Sequence, residues 1–358
     1  MSFVLPAYRA PDFSRIDGPD ATFVPAPGDR VAPEGYHALS IFPEYFRVGE
    51  QWLLCEESRM DCVPVLEPDG HIAAREFRTL RAGERVCVGR TEDGREGIYV
   101  HADGFAAAEV RRETFAFRTG RSRETACSHD YDELCALLRH EREHGRIAWV
   151  LGPACAFDAG ARDAFAALVE RGFVHALLAG NALATHDLEA GLFGTALGQG
   201  IYSPEGAPNG HYHHLDLLNR VRAAGSIPRF LEETGASDGI VHACVARGVP
   251  LVLAGSIRDD GPLPEVYADV YAAQDAMRAQ VRQATCVICL ATALHAIATG
   301  NMTPSFRVRE GRVRPVYFYC VDVSEFALGK LRDRGSLSCR TLVANVQDFV
   351  RTLERGTR

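Results

Sequence analysis

The chain has 358 residues, 47% hydrophobic and 24% charged, a composition typical of a folded globular protein with room for two domains. Its formal net charge of −8 argues against nucleic acid as a standing partner, because phosphate backbones are bound by concentrated basic surfaces. No apolar run reaches the roughly 20 residues that a bilayer requires, and the N-terminus lacks the basic region and apolar core of a secretory signal. We therefore expect a cytoplasmic protein with no membrane partner.

The first part of the chain divides into three predicted segments. Residues 1–33 are rich in proline, glycine and charge, which indicates an extended lead-in. Residues 34–118 contain short alternating runs separated by turn signals, which predicts a small β-rich domain for substrate binding or oligomerisation. Residues 119–130 are polar and arginine-rich without a helical or strand period, which predicts a linker. The strand-like runs lie at 51–55, 62–66 and 85–89.

Residues 131–358 change to alternating helical and strand patterns. This alternation predicts a doubly wound, mostly parallel, Rossmann-like α/β domain. The predicted strands are 147–151, 173–178, 249–254, 286–290 and 316–321. The predicted helices are 131–144, 158–171, 188–197, 215–224, 236–247, 265–283 and 325–334.

The eleven cysteines form no evident metal or disulfide framework. The one close pair, Cys286 and Cys289, lies on a predicted strand, where residues three apart point to opposite faces and cannot chelate one ion. We expect most of the thiols to be reduced side chains of the core.

The predicted strands of the α/β domain end in small or polar clusters. Parallel strands bring their carboxyl ends to one edge, where ligands bind and helix amides point outward. Any one cluster is explained equally well by a helix cap, whereas five at one edge favour a dinucleotide site. The clusters are Gly152–Ala154, Gly180–Ala182, Gly255–Gly261, Thr292–Ala296 and Asp322.

Several polar side chains of these clusters allow more than one role. Asn181, Thr185 and His186 are placed at the ligand crevice, although an αβ loop with a helix cap also fits. Asp322 could bind a ribose hydroxyl pair or cap the following helix. The pair Asp259–Asp260 could bind a divalent cation, but we favour a cofactor or substrate role because Gly261-Pro262 makes a tight turn suited to close backbone approach.

The run His211-Tyr212-His213-His214 suggests a metal site. Adjacent histidines rarely ligate one ion, and no cysteine or carboxylate lies at zinc-motif spacing, so we predict no metal. A polar loop that opens the helix 215–224 and a proton-transferring histidine both fit. The strand 147–151 is not followed by a Gly-x-Gly-x-x-Gly fingerprint, so a dinucleotide would bind without the usual phosphate loop.

The chain resembles a known family, the archaeal-type ornithine cyclodeaminases, also described as lysine-oxoglutarate reductase/saccharopine dehydrogenase-like bifunctional proteins. The most specific motifs of this resemblance lie in the second half of the chain. The resemblance begins near Pro33 and implies a β-rich domain followed by an NAD domain similar to that of deoxyhypusine synthase, which explains the missing fingerprint. It also implies a homodimer or homotetramer. The segments that carry it are 179–189, 222–227, 253–266, 294–301 and 321–322.

The resemblance also implies a reaction and a site. In the family reaction, tightly held NAD+ takes a hydride from the α-carbon of ornithine, the side-chain amine closes a ring, ammonia leaves, and the hydride returns to give proline. Asp322, His295 and His214 are the candidate catalytic residues. Position 345 is usually Asp in relatives. The implied NAD contacts are Asn181, Ala182, Asp260, Thr292, Ala293, Leu294, His295, Ala296, Asp322, Asn345 and Val346.

The substrate side departs further from the family. Relatives carry Thr-Thr-Asn-His at 39–42 and His-Thr-Gly-Gly at 157–160, where this chain has Ile41, Phe42 and Phe157. Each hydrogen bond lost from a buried site costs about 1–3 kcal/mol. The sequence therefore supports NAD more firmly than ornithine, and we expect the substrate to be ornithine or a related, modified amino acid. The candidate substrate-binding residues are Arg59, Asp61, Phe157 and Asp158.

Three other functions fit the sequence less closely. A dehydrogenase or imine reductase would turn over NAD stoichiometrically, and an NAD-binding protein with an altered pocket would bind without turnover. Aminoalkyl transfer is weakly supported, because Lys330, the only lysine, lies within a predicted helix.

Overall fold

The computed structural model describes residues 3–105, 127–202, 205–324, 327–329 and 337–358. The predicted linker 119–130 and the predicted helix 325–334, with Lys330, lie mostly outside these ranges. Within them, no helix has the length and hydrophobicity to cross a membrane.

The N-terminal domain consists of two small antiparallel sheets packed around a shared apolar interior. One sheet has the order β1-β6-β4-β5 and the other β3-β2-β7. Every position of the central strand β4 is buried, which agrees with its apolar run. The strands are β1 (Thr22–Pro25), β2 (Glu44–Val48), β3 (Gln51–Leu54), β4 (Cys62–Leu66), β5 (Ile72–Glu76), β6 (Arg85–Val88) and β7 (Ile98–Val100).

The C-terminal domain is built on a seven-stranded parallel sheet of order β13-β12-β9-β8-β14-β17-β18. The chain moves outward from β8 in one direction and then from β14 in the other, so the topological switch point lies between these two strands. The strands are β8 (Ile147–Leu151), β9 (Ala176–Gly180), β12 (Leu251–Ala254), β13 (Val266–Tyr267), β14 (Cys286–Leu290), β17 (Tyr317–Asp322) and β18 (Cys339–Val343). Two hairpins stand apart from the sheet: β10 (Thr195–Ala196) with β11 (Gln199–Gly200), and β15 (Phe306–Arg309) with β16 (Arg312–Pro315).

Helices cover both faces of this sheet, as the predicted doubly wound fold requires. Helices α1–α6 and α9 contribute to the larger apolar core, and α7 and α8 to the smaller one. Cys286 packs in the larger core and Cys289 in the smaller, which confirms that they point to opposite faces. The helices are α1 (Cys127–His144), α2 (Ala159–Glu170), α3 (Asn181–Phe193), α4 (Gly210–Ala224), α5 (Ile227–Thr234), α6 (Ile240–Ala246), α7 (Val270–Val281), α8 (Ala293–Met302) and α9 (Val346–Gly356).

Some predicted boundaries were wrong. Helix α3 begins at Asn181 rather than at 188, because the strand passes directly into the helix through Gly180. Helix α4 begins at Gly210, so His211–His214 lie in its first turns and not in a loop. Helix α1 includes residues 127–130, which lie inside the predicted linker.

The two domains meet along α7 through ion pairs. Glu76 Oε1 lies 2.8 Å from Arg278 Nε, and Glu57 Oε2 accepts a hydrogen bond of 2.7 Å from Arg282 Nε. The β-rich domain therefore packs against the face of the sheet that carries α7 and α8.

Candidate functional site

The carboxyl edge of the parallel sheet contains two helix N-termini without side-chain caps. Helices α3 and α8 follow β9 and β14. Gly180, which precedes α3, has no side chain that could cap it, and the Thr292 side chain makes no capping hydrogen bond to α8. Their first amides are therefore open to a ligand, and the helix dipole favours an anion there. By contrast, side-chain oxygens cap helices α2, α5, α7 and α9, from Asp158, Ser226, Asp269 and Asn345.

Glycines allow close approach at this edge. A Cβ at Gly152, after β8, would lie 2.0 Å from the carbonyl oxygen of Ala291, after β14. A Cβ at Gly180 would lie 3.1 Å from Cε1 of His295. The structure therefore places the His295 ring beside the start of α3, as expected if the predicted clusters converge.

His295 lies between the start of α3 and the loop after β12. Burial lowers the pKa of its imidazole, and the nearby Asp259 carboxylate opposes that shift only in part. The ring is therefore neutral near pH 7 and can both donate and accept a hydrogen bond.

Asn181 joins α3 to the loop that carries Asp260. Its side-chain oxygen accepts hydrogen bonds from the Leu263 amide at 3.0 Å and from the Thr185 hydroxyl at 3.3 Å. Asp260 itself is exposed at the rim of the edge. The predicted contacts Asn181 and Asp260 thus belong to one connected loop system.

Asp322 lies at the end of β17 and is half-buried. Its Oδ1 accepts a 2.8 Å hydrogen bond from the Ser324 amide, so the carboxylate closes a local turn of the kind that competes with a ligand role. Among the described residues, the hydrogen bond to the Asp322 carboxylate is made to Oδ1 and not to Oδ2.

Two of the remaining implied NAD contacts, Asn345 and Val346, have side chains that are used in structural interactions. The Asn345 side chain caps α9 by accepting from the amides of Gln347 and Asp348, and Val346 packs in the larger core. The structure thus ends the strand at Val343, and position 345 acts as a helix cap. Ala296 is also a core residue, whereas Ala293 and Leu294 are exposed on the first turn of α8.

Large apolar side chains are exposed along this same edge. Ile257 follows β12, Leu294 follows β14 and Val323 follows β17, and each is more than two-thirds exposed. Apolar side chains grouped at a rim indicate a surface that a ligand or partner covers. Together with the open helix amides, they fit a molecule that carries both phosphate groups and flat rings.

A buried polar network lies behind this edge, on α3. Glu189 accepts four hydrogen bonds, from the Thr195 hydroxyl, the amides of Leu197 and Gly198, and Nδ1 of His186. Burial raises the pKa of the Glu189 carboxyl, but these hydrogen bonds outweigh burial and the net pKa is lowered. The network holds the β10–β11 hairpin against α3.

His214 joins this network from α4. Its ring centroid lies 5.4 Å from that of His186, and its Nδ1 is buried without a hydrogen bond partner among the described residues. Burial, reinforced by His186, lowers the pKa of His214. One ring nitrogen of each histidine and one oxygen of Glu189 lie within 4.8 Å of one another, a donor set that suits a divalent ion. The four hydrogen bonds to Glu189, however, already fill its lone pairs.

Asp187, also on α3, is committed to structure. Its carboxylate accepts from Nε of Arg162 at 2.8 Å and from the amides of Ile240 and Val241 at 3.1 and 2.8 Å. Both Arg162 and Asp187 are about 1% exposed. This buried pair therefore caps α6 and fixes it against α2 and α3.

The candidate substrate residues lie in two places. Arg59 is buried, with Nη2 2.5 Å from Oε1 of Glu76, so its charge is neutralised at the domain interface. Asp61 is exposed and lines an interdomain cleft of about 430 Å³ with Met60 and Asn301. Their substrate roles stay predictions.

Phe157 and Asp158 lie beside the polar network, and Phe157 packs against a small apolar cluster that contains Ala190, Ala196 and Ile201. The Phe157 ring centroid is 5.1 Å from that of His186, and Asp158 caps α2 through the amide of Ala161 at 2.7 Å. The structure thus joins Phe157 to His186 and His214, and it separates this group from Arg59 and Asp61 by placing them on opposite faces of the sheet. Sequence reasoning missed Glu189, although its i, i+3 spacing from His186 is a detectable helical pair.

The chain is similar to proteins of known family. Residues 133–353 match the family model described as arginine dihydrolase ArgZ-like, C-terminal, Rossmann fold. The ornithine cyclodeaminase of Methanopyrus kandleri is 38% identical over 336 residues, which is 91% of this chain and 76% of that protein.

Two solved structures extend the similarity to the whole fold. A conserved LOR/SDH protein from Methanococcus maripaludis superposes with a TM-score of 0.85 at 33% identity, covering 95% of this chain and 98% of that one. The complex of AgrE with ornithine and NAD+ gives a TM-score of 0.60 at 32% identity, covering 95% of this chain and 46% of that one. These matches confirm the predicted family and the predicted α/β fold.

Proposed function

Because the chain belongs to the ornithine cyclodeaminase family, we propose that it is an NAD-dependent cyclodeaminase that acts on ornithine or a closely related amino acid. The observation that carries the proposal is the carboxyl edge, where the uncapped N-termini of α3 and α8, the His295 ring and Asp322 lie at the ends of β9, β14 and β17. The AgrE complex with ornithine and NAD+ supports the pairing of cofactor and substrate.

The cofactor is NAD, and the edge has the chemistry to hold it. The first amides of α3 and α8 would bind the pyrophosphate without a glycine-rich loop, since two helix dipoles point at one crevice. Ile257 and Leu294 would lie against the rings, which removes exposed apolar area from water. Bound NAD+ supplies a hydride acceptor for the α-carbon and later the hydride donor, so that oxidation and reduction cancel in each cycle.

Side chains of this chain would handle the protons. Asp322 would hold the substrate amino group, or shuttle its proton, through the carboxylate oxygen that the Ser324 amide leaves open. His295 is neutral near pH 7 and would accept a proton on a ring nitrogen when the amine is oxidised to an imine. His214 and His186, with Phe157, would shape the side of the pocket where relatives carry polar residues.

Isotope-labelled ornithine tests the proposal. Purified protein incubated with NAD+ and ornithine deuterated at the α-carbon should form proline and ammonia in equal amounts, with the deuterium retained and no accumulation of reduced NAD. Asp322→Asn should retain NAD and lose at least about a hundredfold in turnover, the usual size of a lost acid–base group.

The other outcomes are separable. Accumulated, deuterated NADH would indicate an ordinary dehydrogenase instead. Tightly bound NAD without proline would reject ornithine and direct the substrate search to the pocket around Phe157. Failure to bind NAD at all would reject the proposal as a whole.

A further inference from the structure

The amino edge of the parallel sheet, opposite the candidate NAD site, contains a cationic cavity of about 320 Å³. Its polar lining includes Arg146, His175, Arg307 and Arg309, and none of the described residues that line it is a carboxylate. An adjoining cavity of about 410 Å³ shares Arg146 and His175 and adds Arg247. Four arginines and a histidine therefore line these two adjoining cavities.

Two of these guanidinium groups have buried nitrogens without an acceptor. Nε of Arg146 and Nη1 of Arg307 are buried and have no hydrogen bond partner among the described residues. Among the residues that the structure describes, the Arg146 guanidinium donates to a neutral group, Oε1 of Gln280, at 2.9 Å. Because arginine stays charged in proteins, an unpaired buried guanidinium nitrogen is costly unless a ligand supplies the acceptor.

Two carboxylates near the cavity, Glu57 and Glu141, are already paired. Glu57, which faces Arg307, accepts from Arg282 at 2.7 Å. Glu141, behind the cavity wall, lies 2.5 Å from a guanidinium nitrogen of Arg314. Burial lowers the pKa of Arg307, and Glu57 offsets this effect only in part. The positive charge at the cavity therefore exceeds the negative charge around it.

We propose that this cavity is a second ligand site, which binds a small metabolite through a phosphate or carboxylate group held by Arg146, Arg307 and His175. Nδ1 of His175 accepts from the Ile147 amide at 2.9 Å, so its neutral ring carries the proton on Nε2. Guanidinium forks bind such oxyanions through two parallel hydrogen bonds.

The site is separate from the cofactor site. Strands β8 and β14 begin at this cavity and end at the carboxyl edge, and five strand residues span roughly 16 Å. A small anion cannot contact both ends of such strands. The cavity therefore lies outside the proposed cyclodeaminase site.

Calorimetric titration with inorganic phosphate and with citrate, at constant ionic strength and with NAD+ saturating, tests the proposal. We expect saturable binding of at least one of the two, at one site per chain. Arg146→Gln and Arg307→Gln should each weaken it at least about tenfold, because a charge-assisted hydrogen bond is lost. The matched control is Arg312→Gln, which removes the same charge from an exposed position of the β15–β16 hairpin and should change little.

The choice of anion identifies the ligand group. Tighter binding of phosphate would assign a phosphate ester, and tighter binding of citrate a carboxylate. Absence of saturable binding, or equal loss in Arg312→Gln, would overturn the proposal. Arg307→Lys, which keeps the charge and loses the fork, should fold like the parent and bind with intermediate strength, so a folding defect cannot be mistaken for loss of the site.

Discussion

The carboxyl edge of the sheet and the buried network on α3 contain the same residue types, yet they differ in how many of their polar groups have partners in the chain. In the network, hydrogen bonds occupy the carboxylates of Asp187 and Glu189 on both oxygens. At the edge, the helix amides are uncapped and Leu294 is exposed. Residue type therefore does not separate the structural carboxylates of the network from the ligand-binding groups of the edge, whereas unused hydrogen-bonding capacity does. Substitutions in the network should reduce stability, and substitutions at the edge should reduce cofactor binding.

The largest effect is expected from Asp187→Ala. The substitution leaves the buried Arg162 guanidinium without its partner and uncaps α6, which should lower the free energy of unfolding by about 3–5 kcal/mol. Chemical denaturation measures this loss. The matched control is Asp238→Ala, since Asp238 bonds the same guanidinium but its side chain is 49% exposed, and it should cost no more than about 1 kcal/mol. Equal losses in the two variants would contradict the comparison.

Glu189→Gln should have a smaller and pH-dependent effect. An amide cannot accept from all four donors, so we expect a loss of about 1–3 kcal/mol near neutral pH. The pKa of Glu189 is lowered in the folded state, so its stabilisation is full above the unfolded-state pKa, about 4.3, and disappears as the pH falls through the lower folded-state value.

Denaturation of parent and variant at a series of pH values tests the Glu189 effect. The difference in unfolding free energy should be constant near neutrality and should close in acid. Glu205→Gln, at an exposed position of the adjoining loop, should show no such difference. If the difference in unfolding free energy between the parent and Glu189→Gln persists at the lowest pH, the charge of the Glu189 carboxylate does not cause it.

At the edge, His295→Gln should weaken NAD binding about tenfold and change the unfolding free energy of the NAD-free protein by less than about 1 kcal/mol. Titration of NAD+ followed by intrinsic fluorescence gives the affinity. For the parent, NAD affinity should be constant around neutrality and change only in acid solution, because burial lowers the pKa of His295 and delays its protonation. A large stability loss without a change in affinity would place His295 with the structural group.

The smallest effect is expected from Leu294→Ser, which removes an apolar contact from the rim. NAD affinity should fall roughly threefold, the value of partial burial of one leucine side chain. Val4→Ser, at an exposed position remote from the sheet edge, is the control. Unchanged affinity in both variants would mean that the cofactor does not lie on this surface.

The sequence predicted the sheet well because buried strands such as Cys286–Leu290 are continuous apolar runs between helical patterns. It predicted the ligand edge because glycine and polar residues follow those runs. It did not predict that α3 starts at Asn181, since the absence of a cap has no sequence signal when Gly180 precedes the helix. Nor could it pair Arg146 with Arg307, because only the fold brings residues so distant in the chain to one cavity.

The reactivity of the buried thiols can report when each domain opens to solvent. Burial raises the pKa of Cys55 and Cys87 in the β-rich domain, and of Cys155 and Cys244 in the α/β domain, to about 12. Because thiolate is the form that alkylating reagents attack, each of these cysteines should react only when its surroundings open. Peptide mass spectrometry after a short alkylation pulse would therefore time the opening of each domain separately, without any introduced label.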